Sequence, residues 1–125
     1  MSVILATVWI SVSEFVRNEV FVKSFWEEHY QSLGLKFPSD PLNGAVWGIW
    51  SLMFSVSIFV LSKKFTHFQT TLISWFMAFA MMWVVTANLG VLPFGLLWYA
   101  IPLSLIEAYL AGFIIFKFQD HKELK

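Results

Sequence analysis

The sequence predicts an all-α fold, an integral membrane up-and-down four-helix bundle, on three observations. First, 58% of the 125 residues are hydrophobic, 13% are charged and the mean hydropathy is +0.71, which is outside the range typical of soluble domains. Second, four apolar runs have about the length that crosses a bilayer core of roughly 30 Å. Third, Gly and Pro punctuate the connections, so consecutive helices are expected to run antiparallel. A single transmembrane domain, residues 1–125, is predicted, with spans at about 3–26, 45–61, 70–92 and 94–116 and an outer loop at 27–44.

The first span, 3–26, is unusual because its second half contains the polar stretch SEFVRNEVFVK. A cleaved signal peptide is the rival interpretation. We reject it, because Met1 and Ser2 provide no basic region and no A-x-A-like site precedes the charges.

The other spans are more regular. The second and third have no charged residue, and the fourth has only Glu107. Two Pro and two Gly predict a loop at 27–44, SKKFTHFQT predicts the next connection, and Gly90 with Pro93 predicts a tight last turn.

Lysine and arginine residues near the span ends predict the orientation, since cytoplasmic ends are enriched in them. Lys23 and Lys36 fall at one end of the predicted bundle. The opposite end has the larger group: Lys63, Lys64, Lys117, Lys122 and Lys125. Both termini are therefore expected to face the cytoplasm.

Polar residues from three spans share one depth. By the helical rise, Glu14, Ser51 and Glu107 lie about 16, 15 and 14 Å from the cytoplasmic edge. An ionisable group at this depth costs free energy unless it faces a partner inside the protein. We therefore expect these three residues to converge, with Arg17 about one turn further out.

The expected cluster has more negative than positive charge. Arg17 can neutralise one carboxylate, which leaves the other either protonated or bound to an external cation. Asn18 can supply a further hydrogen bond. The predicted ligand-binding or proton-responsive residues are Glu14, Arg17, Asn18, Ser51 and Glu107. A purely structural role remains open, because buried polar groups also hold membrane helices together.

Two other patterns have simpler interpretations. Glu19 and Lys23 are spaced i, i+4 toward the outer end, which predicts a surface ion pair. Small residues recur at every fourth position of the last span and predict a helix-packing face. This face comprises Ala100, Ser104, Ala108 and Gly112.

Several functions find no support in the residues. There is no cysteine, the formal net charge is zero, and no phosphate loop or nucleophile motif is present. We therefore predict no catalytic residue, no metal site, no cofactor and no nucleic-acid partner, and an enzyme is the less favoured interpretation.

The order of RNEVFVKSFW, FPSDPLNG and NLGVLPFG along the chain resembles that of small bacterial four-span membrane proteins classed as domains of unknown function. The resemblance covers nearly the whole chain and lies in layout rather than in a diagnostic motif. It implies a multi-pass protein of the bacterial inner (cytoplasmic) membrane and transfers no functional residue.

Three functions remain open. The first is binding or transport of a proton, cation or small polar ligand at the Glu/Arg cluster, by a protein surrounded by membrane lipid and assembled as a homo-oligomer. The second is an accessory or assembly subunit that joins a larger membrane complex through the packing face of the last span. The third is an intramembrane enzyme acting on a lipid or quinone.

Overall fold

Every regular element in the described part of the chain is helical. A computed structural model describes residues 1–38 and 40–118. Three segments are long and apolar enough to cross a membrane: Pro41–Ser62, His67–Asn88 and Phe94–Phe118. They correspond to the second, third and fourth predicted spans, so the all-α prediction and these three long apolar helices are confirmed. Lys122 and Lys125 lie outside the described residues.

The first predicted span, 3–26, is two helices rather than one. Helix α1 (Ser2–Val16) continues through a π-helical turn (Arg17–Phe21), and α2 (Lys23–Ser32) follows. Val22 separates them, because its φ of −118° and ψ of 10° leave the helical region. Its amide donates to the Arg17 carbonyl at 2.9 Å, the i→i−5 bond of a π-turn.

The predicted outer loop, 27–44, is too long. Residues 27–32 belong to α2, which ends in a Schellman motif. The amide of Gly34 donates to Gln31 O at 3.0 Å, and the amide of Leu35 donates to Tyr30 O at 2.9 Å. Gly34 has a φ of +75°, which glycine adopts readily. The prediction was wrong for 27–32 because Glu and Gln, which are good helix formers, were assigned to the loop with the glycines.

Helix α3 (Pro41–Ser62) begins before the predicted boundary at 45. Asp40 is its N-cap, and Asn43 completes a capping box by accepting from the Asp40 amide at 2.9 Å. Pro41 occupies the first helical position, where a missing N–H costs nothing. The local sequence therefore starts the helix four residues earlier than its apolar run.

The third apolar segment contains a second π-helical turn. Helices α4 (His67–Trp75) and α5 (Met81–Asn88) flank the turn Phe76–Ala80. Gly90, with a φ of +78°, ends this segment as predicted. A 3₁₀ turn at Phe94–Leu96 then leads into α6 (Leu97–Phe118).

The helices pack around α6 and α1. Helix α1 contacts α3 and α6, and α4 contacts α3 and α6. His67 and Trp75 of α4 meet Gly112 and Ser104 of α6 respectively. The order of contacts is reversed between the two helices, so α4 and α6 are antiparallel.

The interior contains small, apolar and polar side chains, whereas many of the large apolar side chains face outward. A core cluster includes Ala6, Ile10, Ile58, Ala108 and Ile115. Charged and hydroxyl side chains are buried with it, among them Glu14, Arg17, Ser55, Thr70 and Glu107. Exposed apolar side chains include Ile4, Phe15, Met53, Phe76 and Val84. This distribution differs from that of soluble proteins, in which charged residues are almost never fully buried.

Candidate functional site

Glu14 and Arg17 form a buried ion pair on the first helix. Glu14 lies in the last turn of α1, and Arg17 opens the π-helical turn. Their exposed fractions are 3% and 6%. Arg17 Nη2 lies 2.6 Å from Glu14 Oε2, the length of a charge-assisted hydrogen bond.

Glu107 reaches the same guanidinium from α6. Its exposed fraction is 0%, and its Oε1 lies 3.6 Å from Arg17 Nη1. This distance allows Coulomb attraction but is too long for a hydrogen bond. Within residues 1–38 and 40–118, neither carboxylate oxygen of Glu107 has a hydrogen-bond partner, and Glu14 Oε1 has none either.

Asn18 connects this ion pair to α2. Its Nδ2 donates to Glu14 Oε2 at 3.0 Å and to the Glu14 carbonyl at 3.1 Å. Its Oδ1 accepts from Trp26 Nε1 at 3.1 Å. The Asn18 amide is therefore oriented by bonds on both of its sides.

Ser51 is the one predicted site residue that neither a hydrogen bond nor an ion pair joins to the others in the described structure. It is fully buried on α3, and its hydroxyl donates to the carbonyl of Trp47 at 2.9 Å. A helical serine can satisfy its hydroxyl on the i−4 carbonyl without any partner on another helix. The structure thus brings together Glu14, Arg17, Asn18 and Glu107, and hydrogen-bonds Ser51 within its own helix instead.

Three aromatic residues that the sequence did not predict as neighbours of the site contact it. Trp9 Nε1 donates to the backbone carbonyl of Glu107 at 3.0 Å. Arg17 Cζ lies 5.2 Å from the centre of the Phe79 ring, within cation–π range, and Trp26 bonds to Asn18 as described. The Trp9 and Phe79 contacts join distant parts of the chain. The charges on 13–23 could have suggested aromatic neighbours, but not which ones.

A second set of charges on the same stretch is exposed. Lys23 Nζ lies 3.2 Å from Glu19 Oε2 and 3.8 Å from Glu27 Oε1. The predicted surface pair of Glu19 and Lys23 is therefore confirmed. Glu27 extends it by one more i, i+4 step.

The small residues of α6 are buried inside the chain. Ala108 belongs to the core with Ala6 and Ile10, and Ala100 packs with Val22 and Leu96. Ser104 Oγ accepts from Trp75 Nε1 at 2.8 Å. A methyl group at Gly112 would lie 3.1 Å from the His67 ring, so α4 approaches α6 closely at this position.

The electrostatics of the site are unbalanced. Two carboxylates face one guanidinium, so the fully ionised site has one excess negative charge away from water. A buried charge without a full set of partners costs several kcal/mol. The described residues contain no group of three or more His, Cys, Asp or Glu arranged to hold a metal ion.

Comparisons with protein-family models, curated proteins and solved structures find no match to this chain.

Proposed function

We propose that this chain is a multi-pass membrane protein whose Glu14–Arg17–Glu107 site binds a proton. Three long apolar segments and an outward-facing layer of large apolar side chains support insertion in a bilayer. The segment Ser2–Phe21 packs against α3 and α6 and would be the fourth membrane helix of an up-and-down bundle.

The environment of Glu107 is the observation that carries the proposal. Its carboxylate is fully buried, has no hydrogen-bond partner in the described structure, and shares Arg17 with Glu14. Glu14 has the short pair with Arg17 and a bond from Asn18. Glu107 is therefore the less compensated of the two carboxylates, and a bound proton removes the excess charge.

A proton suits the site better than a larger cation. Arg17 already lies within ion-pair distance of both carboxylates, and a proton needs no additional space between these side chains. A carboxylic acid would also gain a donor to direct at the neighbouring carboxylate.

Few other charges face Glu107. Helices α1, α3 and α4 pack on α6, and so does the π-helical turn Arg17–Phe21, whose Glu19 is paired with Lys23. Helix α3 has no titratable side chain, and α4 has only His67, whose Nε2 lies 2.8 Å from the Tyr109 carbonyl. Glu14 and Arg17 are thus the charged neighbours of Glu107 among the described residues, with Arg17 as the fixed cation.

Transport of anything larger than a proton through such a site would need several copies of the chain, because four helices are too few to enclose a wide pathway. We propose a homo-oligomer surrounded by membrane lipid, and native mass spectrometry from mild detergent is expected to give a mass of more than one chain. The small-residue face of α6 is buried within the chain, so nothing specific favours the accessory-subunit function. No arrangement of described side chains favours the enzyme.

We propose the bacterial inner membrane as the location, on the resemblance in layout alone, with both termini in the cytoplasm. Lys63, Lys64 and Lys117 lie at one end of the long segments, against Lys23 and Lys36 toward the other. The excess at the first end supports this orientation.

Infrared titration of the purified protein in lipid nanodiscs tests the proton site. The native chain is expected to show a carboxylic-acid C=O band that changes with pH and is lost in Glu107→Gln, while Glu14→Gln shifts its midpoint. Glu28→Gln, which removes an exposed carboxylate from α2, is the matched control and should leave this band unchanged. An identical titration of the native protein and Glu107→Gln would disprove the proposal.

A further inference from the structure

A chain of hydrogen bonds leads from the buried site toward the end of the molecule that contains α2. Trp26 Nε1 donates to Asn18 Oδ1, and Asn18 Nδ2 donates to Glu14 Oε2. Glu14 is buried, whereas Asn18 and Trp26 are both half-buried. Polar groups therefore connect the site to the surface in this direction.

The opposite direction is closed around α1 and α6 by apolar side chains. One layer toward the N-terminal end of α1 is fully buried and has no polar side chain: Ala6, Ile10, Ala108, Ala111 and Ile115. Trp9 packs against this layer and donates to the Glu107 backbone, not to its carboxylate. Buried hydroxyls also lie at that end, among them Ser2 of α1 and Ser55 of α3, but in the described structure neither makes a hydrogen bond to the Glu14 or Glu107 carboxylate.

The α2 end also has an apolar cluster, formed by Val22, Leu92, Leu96 and Ala100. Trp26 packs against this cluster with its ring while its N–H bonds to Asn18. The Asn18–Trp26 bond is thus a polar contact at the edge of an otherwise apolar layer.

Trp26 is also attached to the turn that precedes α3. Its ring stacks on Phe37 with 5.8 Å between centroids and 20° between planes, and Tyr30 meets Phe37 edge-on at 5.2 Å. Phe37 lies in the segment 35–38, which has no regular structure. Movement of this turn would move the Trp26 ring and break its bond to Asn18.

We propose that Asn18 and Trp26 form the gate of the Glu14–Arg17–Glu107 site, which opens toward the α2 end. This inference rests on the proposed proton site and adds its direction of access. With the Trp26–Asn18 bond in place the gate is closed. When the bond breaks, the Asn18 amide turns away from Glu14 and water reaches the carboxylates.

Carbodiimide labelling measures the opening of this gate. A water-soluble carbodiimide adds to a protonated carboxyl to form an O-acylisourea, glycine methyl ester displaces the urea, and the resulting amide is located on Glu14 or Glu107 by peptide mass spectrometry. In nanodiscs both ends of the protein are accessible to the reagent. Trp26→Phe, which keeps the ring stacking but removes the N–H, is expected to accelerate labelling about fivefold, the factor that one net hydrogen bond gives.

Two tryptophan variants are the matched controls. Trp9→Phe removes an indole N–H that bonds to Glu107 on the closed side, and Trp98→Phe removes an exposed indole from the beginning of α6. Neither should change the labelling rate by more than a factor of two, and circular dichroism should show native helix content for all three.

Other outcomes would overturn the gate. Equal rates for the native protein and Trp26→Phe, or acceleration by Trp9→Phe as large as by Trp26→Phe, would place access elsewhere. If no variant is labelled while the infrared band still titrates with pH, access to the site must also lie elsewhere. Failure of the proton site itself is recognised separately, because the infrared titration of Glu107→Gln would then match that of the native protein.

Discussion

Two sets of charges on neighbouring turns show how burial changes the contribution of an ion pair to stability. Arg17 pairs with Glu14 and Glu107 through side chains that are 7%, 4% and 0% exposed. Lys23 pairs with Glu19 and Glu27 through side chains that are 41%, 32% and 47% exposed. Each set has two carboxylates and one cation.

The difference lies in solvation. Exposed pairs contribute little, because water already solvates each charge well. Buried charges have lost that solvation, so removal of one partner leaves the others with a large cost. The two sets should therefore respond very differently to the same substitution.

The largest effect is expected for Arg17→Met. Two buried carboxylates would lose their cation, and the free energy of unfolding should fall by about 3–5 kcal/mol. Unfolding in mixed detergent micelles, followed by circular dichroism, measures this loss. Lys23→Met is the matched control on the exposed set, and a similar loss in both variants would contradict the comparison.

Part of that loss should be recovered when Glu107→Gln is added to Arg17→Met. The second substitution removes one uncompensated charge, so the two changes should be non-additive by about 0.5–3 kcal/mol, a coupling typical of residues in one network. The same unfolding experiment completes the double-mutant cycle. Strict additivity would mean that Glu107 and Arg17 do not interact.

Loss of a neutral buried contact should lower the free energy of unfolding by an amount between the losses expected for the two charged sets. Ser104→Ala removes the acceptor of the Trp75 N–H at 2.8 Å and should lower the free energy of unfolding by about 1 kcal/mol. Ser57→Ala is its control, because that exposed hydroxyl bonds only to the Met53 carbonyl of its own helix, as far as the described residues show. A loss as large as that of Arg17→Met would show that burial alone, without charge, sets the cost.

The smallest effect is expected for Lys23→Ala. Its contacts with Glu19 and Glu27 lie among exposed side chains, so the unfolding midpoint should stay within experimental error of the native value. A clear shift would indicate that this region is buried in the bilayer or in an oligomer.

Local signals in the sequence predicted much of the fold. The apolar runs gave three long helices, and Gly90 ended one of them through its positive φ. The Glu19–Lys23 pair followed from spacing on one helix. The break at Val22 was missed, because a π-turn depends on packing of that residue against α6 and the preceding turn rather than on propensity.

The candidate site was predicted in part. Depth and charge were sufficient to associate Glu14, Arg17 and Glu107, since an ionisable residue at mid-membrane depth needs a partner at the same depth. For Ser51 the described structure shows a hydrogen bond within its own helix, so its place in the site stays a prediction. Phe79 and Trp9 could not be predicted, because helix rotation, which depth does not specify, decides which rings face the site.

The sequence by itself determined that the described chain is helical, that it has three long apolar segments and how many charges it contains, because these properties depend on composition, on the length of apolar runs and on charge count. Only the tertiary structure decided that Arg17 lies between two carboxylates while Lys23 stays exposed, and that Trp26 bonds to Asn18. Those choices depend on how the helices rotate and pack against one another, and packing joins residues as far apart as Trp9 and Glu107, which no local pattern relates.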